Sequence, residues 1–399
     1  MRQTSVPLVR TLVLWFGMSG PAMAQTPEKS TPGTTGTVAD VSGFADGLRE
    51  ELGVPGLSLA ATTANALIAV GYSGLRETGQ DDLVQPGDPF HMGSLTKSMT
   101  ATLFGTYVDE GRLDWDSTIE DLDPDLANQI PEPSRSITLR QLLSHRSGIR
   151  DDPDTNRLVT GLWSLEGTMI ERRREASISA LNAEWNKAPG DGYVYSNLGY
   201  VVAASLLERM EGHTWEDLVA ERVFAPLGLG TVGHGPPGLG GEPGSTPNGH
   251  TLGSDGWESL PRVAGADNAP ALGPAGRVHM SIEDLATFAR FQLRGLLGAD
   301  GLLESDTVRA MHDDSDSPGY ALGWAVSSPG GTTRSMHSGS NTRWLAFVMV
   351  WPDRDIAVAI AMNAAPAAAM DGHSIALFVR DLARRKLIAP LSSRGSDRP

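Results

Sequence analysis

His91-Met92-Gly93-Ser94-Leu95-Thr96-Lys97-Ser98-Met99-Thr100 is the stretch from which the rest of the chain can be read. Beyond Gly93 the apolar residues Leu95, Met99, Leu103 and Tyr107 recur every four positions and Gly111 follows, which predicts a helix beginning at or near Ser94. Three positions apart, Ser94 and Lys97 share a face of that helix. The serine then lies in the first turn, close to backbone N–H groups that have no helical partner. A free serine is a poor nucleophile at neutral pH, but an amine whose pKa is lowered by burial or a second cation can take its proton. Alone, Ser-x-x-Lys is a weak signal, because it also describes the polar first turn of an ordinary helix.

The 399 residues suffice for a large core and two structural lobes. Arg2 and Arg10 precede the apolar run Leu12-Val13-Leu14-Trp15-Phe16, and Ala22-Met23-Ala24 offers a small-x-small cleavage site. This predicts a secretory signal peptide over residues 1–24, cut after Ala24, and a secreted or periplasmic protein. The apolar run is far short of the roughly 20 residues that span a bilayer, and no later run is long enough either, so no transmembrane segment is expected. There is no cysteine, which excludes disulfides and thiolate metal sites and leaves stability to the core. The formal charge of −16 disfavours nucleic acid and anionic lipid as partners. The oligomeric state is not readable.

Residues 25–37, rich in Thr, Pro and Gly, read as a flexible leader. Val38 to Leu52 has helical spacing and stops at Gly53, and two β-like runs follow, Leu57 to Thr62 and Ala66 to Tyr72. From residue 91 to 294 the chain reads mainly as helices and loops, with a Gly- and Pro-rich surface loop expected over Gly228 to Gly256. Beyond it, Tyr320 to Val326, Thr333 to Met336, Trp344 to Trp351 and Ile356 to Met362 read as strands. Turn residues such as Pro329-Gly330 divide them, and a closing helix is expected over Ala367 to Ile388. Strands at both ends with helices between predict an α/β fold in which one antiparallel sheet, covered by helices, is built from both termini and carries an inserted helical lobe. The lobes would be 38–90 with 295–388, and 91–294.

Two further segments give Ser94 and Lys97 their meaning. One is Gly192-Tyr193-Val194-Tyr195-Ser196-Asn197-Leu198-Gly199-Tyr200, a polar turn opening a helix; the other is His337-Ser338-Gly339-Ser340, at the end of a strand run. Ser-x-x-Lys, then Tyr-x-Asn about a hundred residues on, then His-Ser-Gly ahead of two closing strands, resembles the serine β-lactamase and penicillin-binding superfamily. Within it the chain is most similar to the group holding class C β-lactamases, D-alanyl-D-alanine carboxypeptidases and related esterases. Ile137-Thr138-Leu139-Arg140-Gln141-Leu142-Leu143-Ser144-His145-Arg146-Ser147-Gly148 resembles the Leu-Leu-x-His-x-Ser-Gly segment of that group, and the resemblance runs from about Val38 to Arg380.

The resemblance implies an acyl-enzyme mechanism without metal or other cofactor. Ser94 would be the acylated nucleophile, Lys97 its proton acceptor, and Tyr195 the phenol relaying the proton to the leaving group. Asn197 would hold Lys97 and the substrate amide. His337, Ser338, Gly339 and Ser340 would form the substrate-binding strand, with the Ser94 and Ser340 N–H groups as oxyanion donors. These are the parts acyl transfer needs: a base at the nucleophile, an acid at the leaving atom, donors for the oxyanion.

Two features depart from the pattern. His337 stands where many β-lactamases have lysine, and an imidazole with an ordinary pKa of about 6.5 is largely neutral at pH 7. It would shape the pocket without attracting a carboxylate, a role Arg343 would take instead if it is not merely an exposed strand end. Arg277 stands where relatives usually carry a second glycine. His145 is expected to pack, and the acidic run Asp151-Asp152-Pro153-Asp154 to be a solvated loop. The substrate is a small molecule or peptide bearing an amide, a lactam or an ester. A D-alanyl peptidase-like or penicillin-recognising hydrolase is the first reading. A carboxylesterase, a β-lactamase proper and a non-catalytic penicillin-binding sensor are the alternatives.

Overall fold

Strands from both ends of the chain meet in one sheet, as the sequence pattern predicts. The computed structural model describes residues 37–150, 161–184, 187–316, 318–328, 332–341, 343–369 and 373–389. The expected signal peptide, the leader up to Gly36, the acidic run at 151–154 and the Pro329-Gly330 turn lie outside these. The strands are β1 (Ala39–Asp40), β2 (Gly56–Thr62), β3 (Leu67–Gly74), β4 (Phe90–His91), β5 (Gly233–His234), β6 (His250–Gly253), β7 (Gly256–Ser259), β8 (Val278–Met280), β9 (Ala325–Ser327), β10 (Arg334–Ser340), β11 (Leu345–Trp351) and β12 (Ile356–Met362). The main sheet runs β1-β3-β2-β12-β11-β10-β9. Its pairs are antiparallel except β1 with β3, so the sheet is mixed at one edge. The two residues of β1 fall where a helix is expected. Their pairing ends as Asp40 Oδ1 accepts the Ser42 N–H at 2.9 Å and turns the chain into helix α1 (Ser42–Leu52).

The central strands β11 and β12 are buried along their whole length. Their alternation is therefore between two apolar faces instead of apolar and polar ones. Leu345, Phe347, Met349, Ile356, Val358 and Ile360 face the core shared with α1 and with helix α7 (His373–Arg384). Ala346, Val348, Ala357, Ala359 and Ala361 face the other way, into the core that holds Phe288 and the helical lobe. Small side chains on that face let helix α5 (Ile282–Leu296) lie close against the sheet.

Helix α2 (Thr96–Asp109) runs through the middle of the second core, and nearly every residue from Thr96 to Tyr107 is buried. A helix buried all round must satisfy its polar residues internally. Accordingly Thr100 donates to Pro274 O at 2.7 Å, and Thr102 to Ser98 O at 2.9 Å. Around it stand α3 (Met169–Asn182), α4 (Asn197–Glu211) and α6 (Ser305–Met311). Arg173 of α3, fully buried, donates to Glu208 of α4 and to Glu216 Oε2 at 2.9 Å.

The Gly- and Pro-rich stretch is not the free surface loop expected. It contributes β5 and β6, and β6 pairs with β7. It is also tied down by Glu77, whose carboxylate accepts from Gly244 N at 3.0 Å, Asn248 Nδ2 at 3.2 Å and Arg262 Nη2 at 2.8 Å. Gly249 passes so close to Trp344 that a Cβ there would lie 2.5 Å from the indole nitrogen.

Candidate active site

Three chain segments converge at the N-terminal end of α2. The first is a 3₁₀ turn, Gly93–Leu95, that precedes the α-helix, so Ser94 sits in that turn and is half-buried. Thr96 Oγ1 donates to Gly93 O at 2.8 Å and accepts from Val278 N at 3.1 Å, fixing the turn against β8. The second is the N-terminus of α4. Ser196 caps it by accepting from Gly199 N at 3.0 Å, and Asn197 is the first helical residue. The third is β10.

Lys97 is completely buried, and its ammonium nitrogen lies 3.0 Å from Ser94 Oγ, 2.6 Å from Asn197 Oδ1 and 2.7 Å from Ala275 O. None of these three partners is charged. An amine so placed can give its two N–H groups to Asn197 and Ala275 and turn its lone pair to the Ser94 hydroxyl. The Tyr195 hydroxyl is 2.7 Å from Ser94 Oγ, on a side chain 39 % exposed. Ser94 Oγ thus has an amine on its buried side and a phenol on its more exposed side. The sequence motifs name Ser94, Lys97, Tyr195 and Asn197; the carbonyl of Ala275 carries no side-chain signal and was missed.

The strand closes the site from the other side. A Cβ on Gly339 would lie 1.9 Å from Met92 O and 2.7 Å from Ser94 N, and one on Gly93 would lie 2.5 Å from Ser340 N. Gly93 also has φ 51°, a left-handed conformation that glycine adopts without strain. Only two glycines allow the backbone around Ser94 and that around Ser340 to approach this closely. β9 pairs with β10 only over Arg334 to Met336, so among the described residues no strand lies outside Ser338 to Ser340. An extended substrate could add its own backbone along a strand edge of this kind. Ser338 is exposed and Ser340 half-buried beside Ser94.

His337 does not reach this edge. It points inward and is buried; its Nε2 lies 3.0 Å from the Tyr320 hydroxyl, and its Nδ1 lies 2.6 Å from Ser338 O. A carbonyl can only accept, so Nδ1 carries the proton and Tyr320 donates to Nε2. Burial, and then the nearby Lys97 charge, push the imidazole down to about 3, so it is neutral. The side chain supports the strand from below, and Tyr320 is a partner that sequence reading missed. Arg343 is half-buried and turned back on its own chain, with Nη1 3.4 Å from Asn341 O.

His145, expected only to pack, does more. Its backbone has φ 59°. Its carbonyl accepts the Val194 N–H at 2.7 Å and its ring Nδ1 accepts the Ser196 N–H at 3.1 Å, so it binds the residues on either side of Tyr195. The ring lies against Tyr195, with centroids 4.4 Å apart, and against Tyr320 at 4.8 Å. Burial first, then the nearby charge of Lys97, hold it well below the ordinary histidine range.

Comparison with known proteins places this geometry. Penicillin-binding protein 4 of Amycolatopsis lactamdurans is 27 % identical over 344 residues, which are 80 % of this chain and 83 % of that protein. A D-aminopeptidase of Cereibacter sphaeroides is 29 % identical over 151 residues, 37 % of this chain and 27 % of its own length. The crystal structure of SurE with D-Leu superposes with a TM-score of 0.65 at 26 % identity, over 87 % of this chain and 74 % of that one. The family model described as Beta-lactamase matches residues 41–380, a span that contains the sheet, the helical lobe and all three converging segments, and the chain therefore belongs to the beta-lactamase family of serine hydrolases.

Proposed function

We propose that this enzyme cleaves amides in which the acylating residue has the D configuration, through an acyl-enzyme on Ser94, and that it does so after export from the cytoplasm. The observation that carries the reading is the trio of Lys97 Nζ, Ser94 Oγ and Tyr195 hydroxyl, joined at 3.0 Å and 2.7 Å. Lys97 takes the Ser94 proton as Oγ attacks the carbonyl carbon; the C–N bond then breaks as Tyr195 gives its proton to the leaving nitrogen. Water enters where the amine left and attacks the acyl carbon as the Tyr195 phenolate takes its proton; the ester C–O bond then breaks and Lys97 returns its proton to Ser94 Oγ. The D preference rests on likeness: a D-aminopeptidase among the relatives and D-Leu in the SurE structure. Likeness to a penicillin-binding protein supports penicillin as a slower acylating agent. Export rests on Arg2, Arg10, the apolar run and Ala22-Met23-Ala24, which put the mature N-terminus at Gln25.

The test is to offer the protein D-Ala-D-Ala peptide, D- and L-aminoacyl amides, a fluorescent penicillin and a short nitrophenyl ester, and to follow release together with intact mass. The D-amides should turn over with a covalent adduct that Ser94→Ala abolishes. Equal or faster turnover of the L-amides would overturn the stereochemical reading, and ester turnover alone would favour a carboxylesterase. An adduct retained by Ser94→Ala would remove Ser94 from the mechanism.

A further inference from the structure

Close to the Ser94 and Ser340 segments is a buried carboxylate that the mechanism does not use. Asp267 is 5 % exposed. Its Oδ2 accepts from His91 Nε2 at 3.1 Å and from Arg277 Nε at 3.3 Å, and its Oδ1 accepts from Asn341 Nδ2 at 2.9 Å. His91 is itself fully buried, and its Nδ1 accepts the Gly93 N–H at 3.0 Å. Since Nδ1 accepts, the ring proton is on Nε2, pointing at Asp267. Burial works against the charged carboxylate, but His91, Arg277 and Asn341 together hold it well below the usual range.

The chain positions of the partners matter more than their number. Gly93 immediately precedes Ser94, and Asn341 immediately follows Ser340. These are the two residues whose N–H groups would receive the oxyanion in the proposed reaction. Each sits on a different chain segment, and the two segments come into close contact at Gly93 and Gly339. Nothing in that contact is attractive by itself: glycine against backbone makes no salt bridge and little apolar burial.

Building on the acyl-enzyme reading above, we infer that Asp267 is a positioning residue for the oxyanion hole, a single buried carboxylate that ties the Ser94 segment, through His91 and Gly93, to the Ser340 segment, through Asn341. Arg277 supplies the positive charge that lets the carboxylate remain ionised in the interior. This gives a physical reason for arginine at a position where relatives usually have glycine: it neutralises the clamp. Asp267 touches no reacting atom. It sets the distance between two donors whose separation decides how well they meet a tetrahedral oxygen.

The experiment must separate a displaced oxyanion hole from general damage. A nitrophenyl ester and its thionoester counterpart, in which sulfur replaces the carbonyl oxygen, are compared in the wild type, Asp267→Asn and Asn341→Ala. Oxyanion donors set for oxygen serve the larger sulfur poorly, so an intact hole gives a large oxo/thiono ratio of kcat/KM. Removing one donor altogether costs roughly a hundred- to a thousandfold in kcat; a loosened clamp should cost about ten- to a hundredfold with the oxoester, little with the thionoester, and little in KM. Asn341→Ala, which cuts only the strand arm and leaves the Asp267–Arg277 pair, should give the same pattern in weaker form and guards against a misfolded Asp267 variant. An unchanged oxo/thiono ratio in both variants, whether activity is kept or lost equally on both substrates, would overturn the proposal while leaving the catalytic reading intact. A wild type that forms no acyl-enzyme at Ser94 with either the oxoester or the D-amides would overturn both.

Discussion

His145 offers the sharpest test of how Tyr195 is held. Its two hydrogen bonds bracket the tyrosine, from Val194 N to the backbone carbonyl and from Ser196 N to ring Nδ1, and only the second depends on the side chain. His145→Phe keeps a ring against Tyr195 and Tyr320 but takes away the ring nitrogen that accepts the Ser196 N–H. Losing that buried acceptor costs about 1–3 kcal/mol of stability unless the turn moves. Movement of the turn carries the Tyr195 hydroxyl away from its 2.7 Å contact with Ser94. A displacement near 1 Å is worth about a hundredfold in rate. His145→Asn is the matched rescue. Its Oδ1 stands close to where Nδ1 does, and asparagine tolerates the φ of 59° better than most residues. The assay is the pre-steady-state acylation rate with a nitrophenyl ester, alongside thermal melting. Acylation should fall about a hundredfold in the Phe variant with KM nearly unchanged, and largely recover in the Asn variant. Comparable rates in Phe and wild type, or equal losses in Phe and Asn, would refute the bracket.

Gly339→Ala places a methyl 1.9 Å from Met92 O and against Ser94 N, so acylation should fall at least a hundredfold, with a lower melting point because the strand must retreat; near-normal activity would show that the strand yields freely. His337→Lys would favour carboxylate-bearing substrates if residue 337 faced the cleft, but it is buried over Tyr320 with Lys97 close by. The expected result is a lowered melting point and loss of penicillin and ester reactions together, and a rise in penicillin acylation would put the side chain in the cleft after all. Acid should unfold the protein early. His312 and His337 are both held down to about 3 in the fold from 6.5, so between those values the unfolded chain binds more protons, and stability falls with pH by about 1.4 kcal/mol per unit for each histidine. The denaturant midpoint should drop steeply from pH 6 to pH 4, and His312→Phe should flatten the slope; an unchanged slope would contradict the assignment.

What the sequence showed and what it hid divide along a physical line. Ser94, Lys97, Tyr195 and Asn197 were legible because each meets the others through its own side chain, at a spacing that a helix start or a capped turn makes specific. The sheet built from both ends was legible because short β-like runs divided by turn residues stand at both ends of the chain, even though β11 and β12 are apolar on both faces. Three other parts were hidden for three different reasons. The carbonyl of Ala275 acts through backbone, which leaves no mark in residue identity. The inward turn of His337 is a matter of strand register: along β10, Ser335, His337 and Gly339 face inward while Ser338 is exposed, and shifting that face by one residue would have exposed the imidazole. Asp267 lies 176 residues from His91 and 74 from Asn341, so no local pattern couples them. Yet Arg277 was visible as a departure from the family pattern, and a new buried cation demands an anion. The carboxylate that meets the Arg277 guanidinium is Asp267, and through His91 and Asn341 it reaches the segments of the two backbone donors.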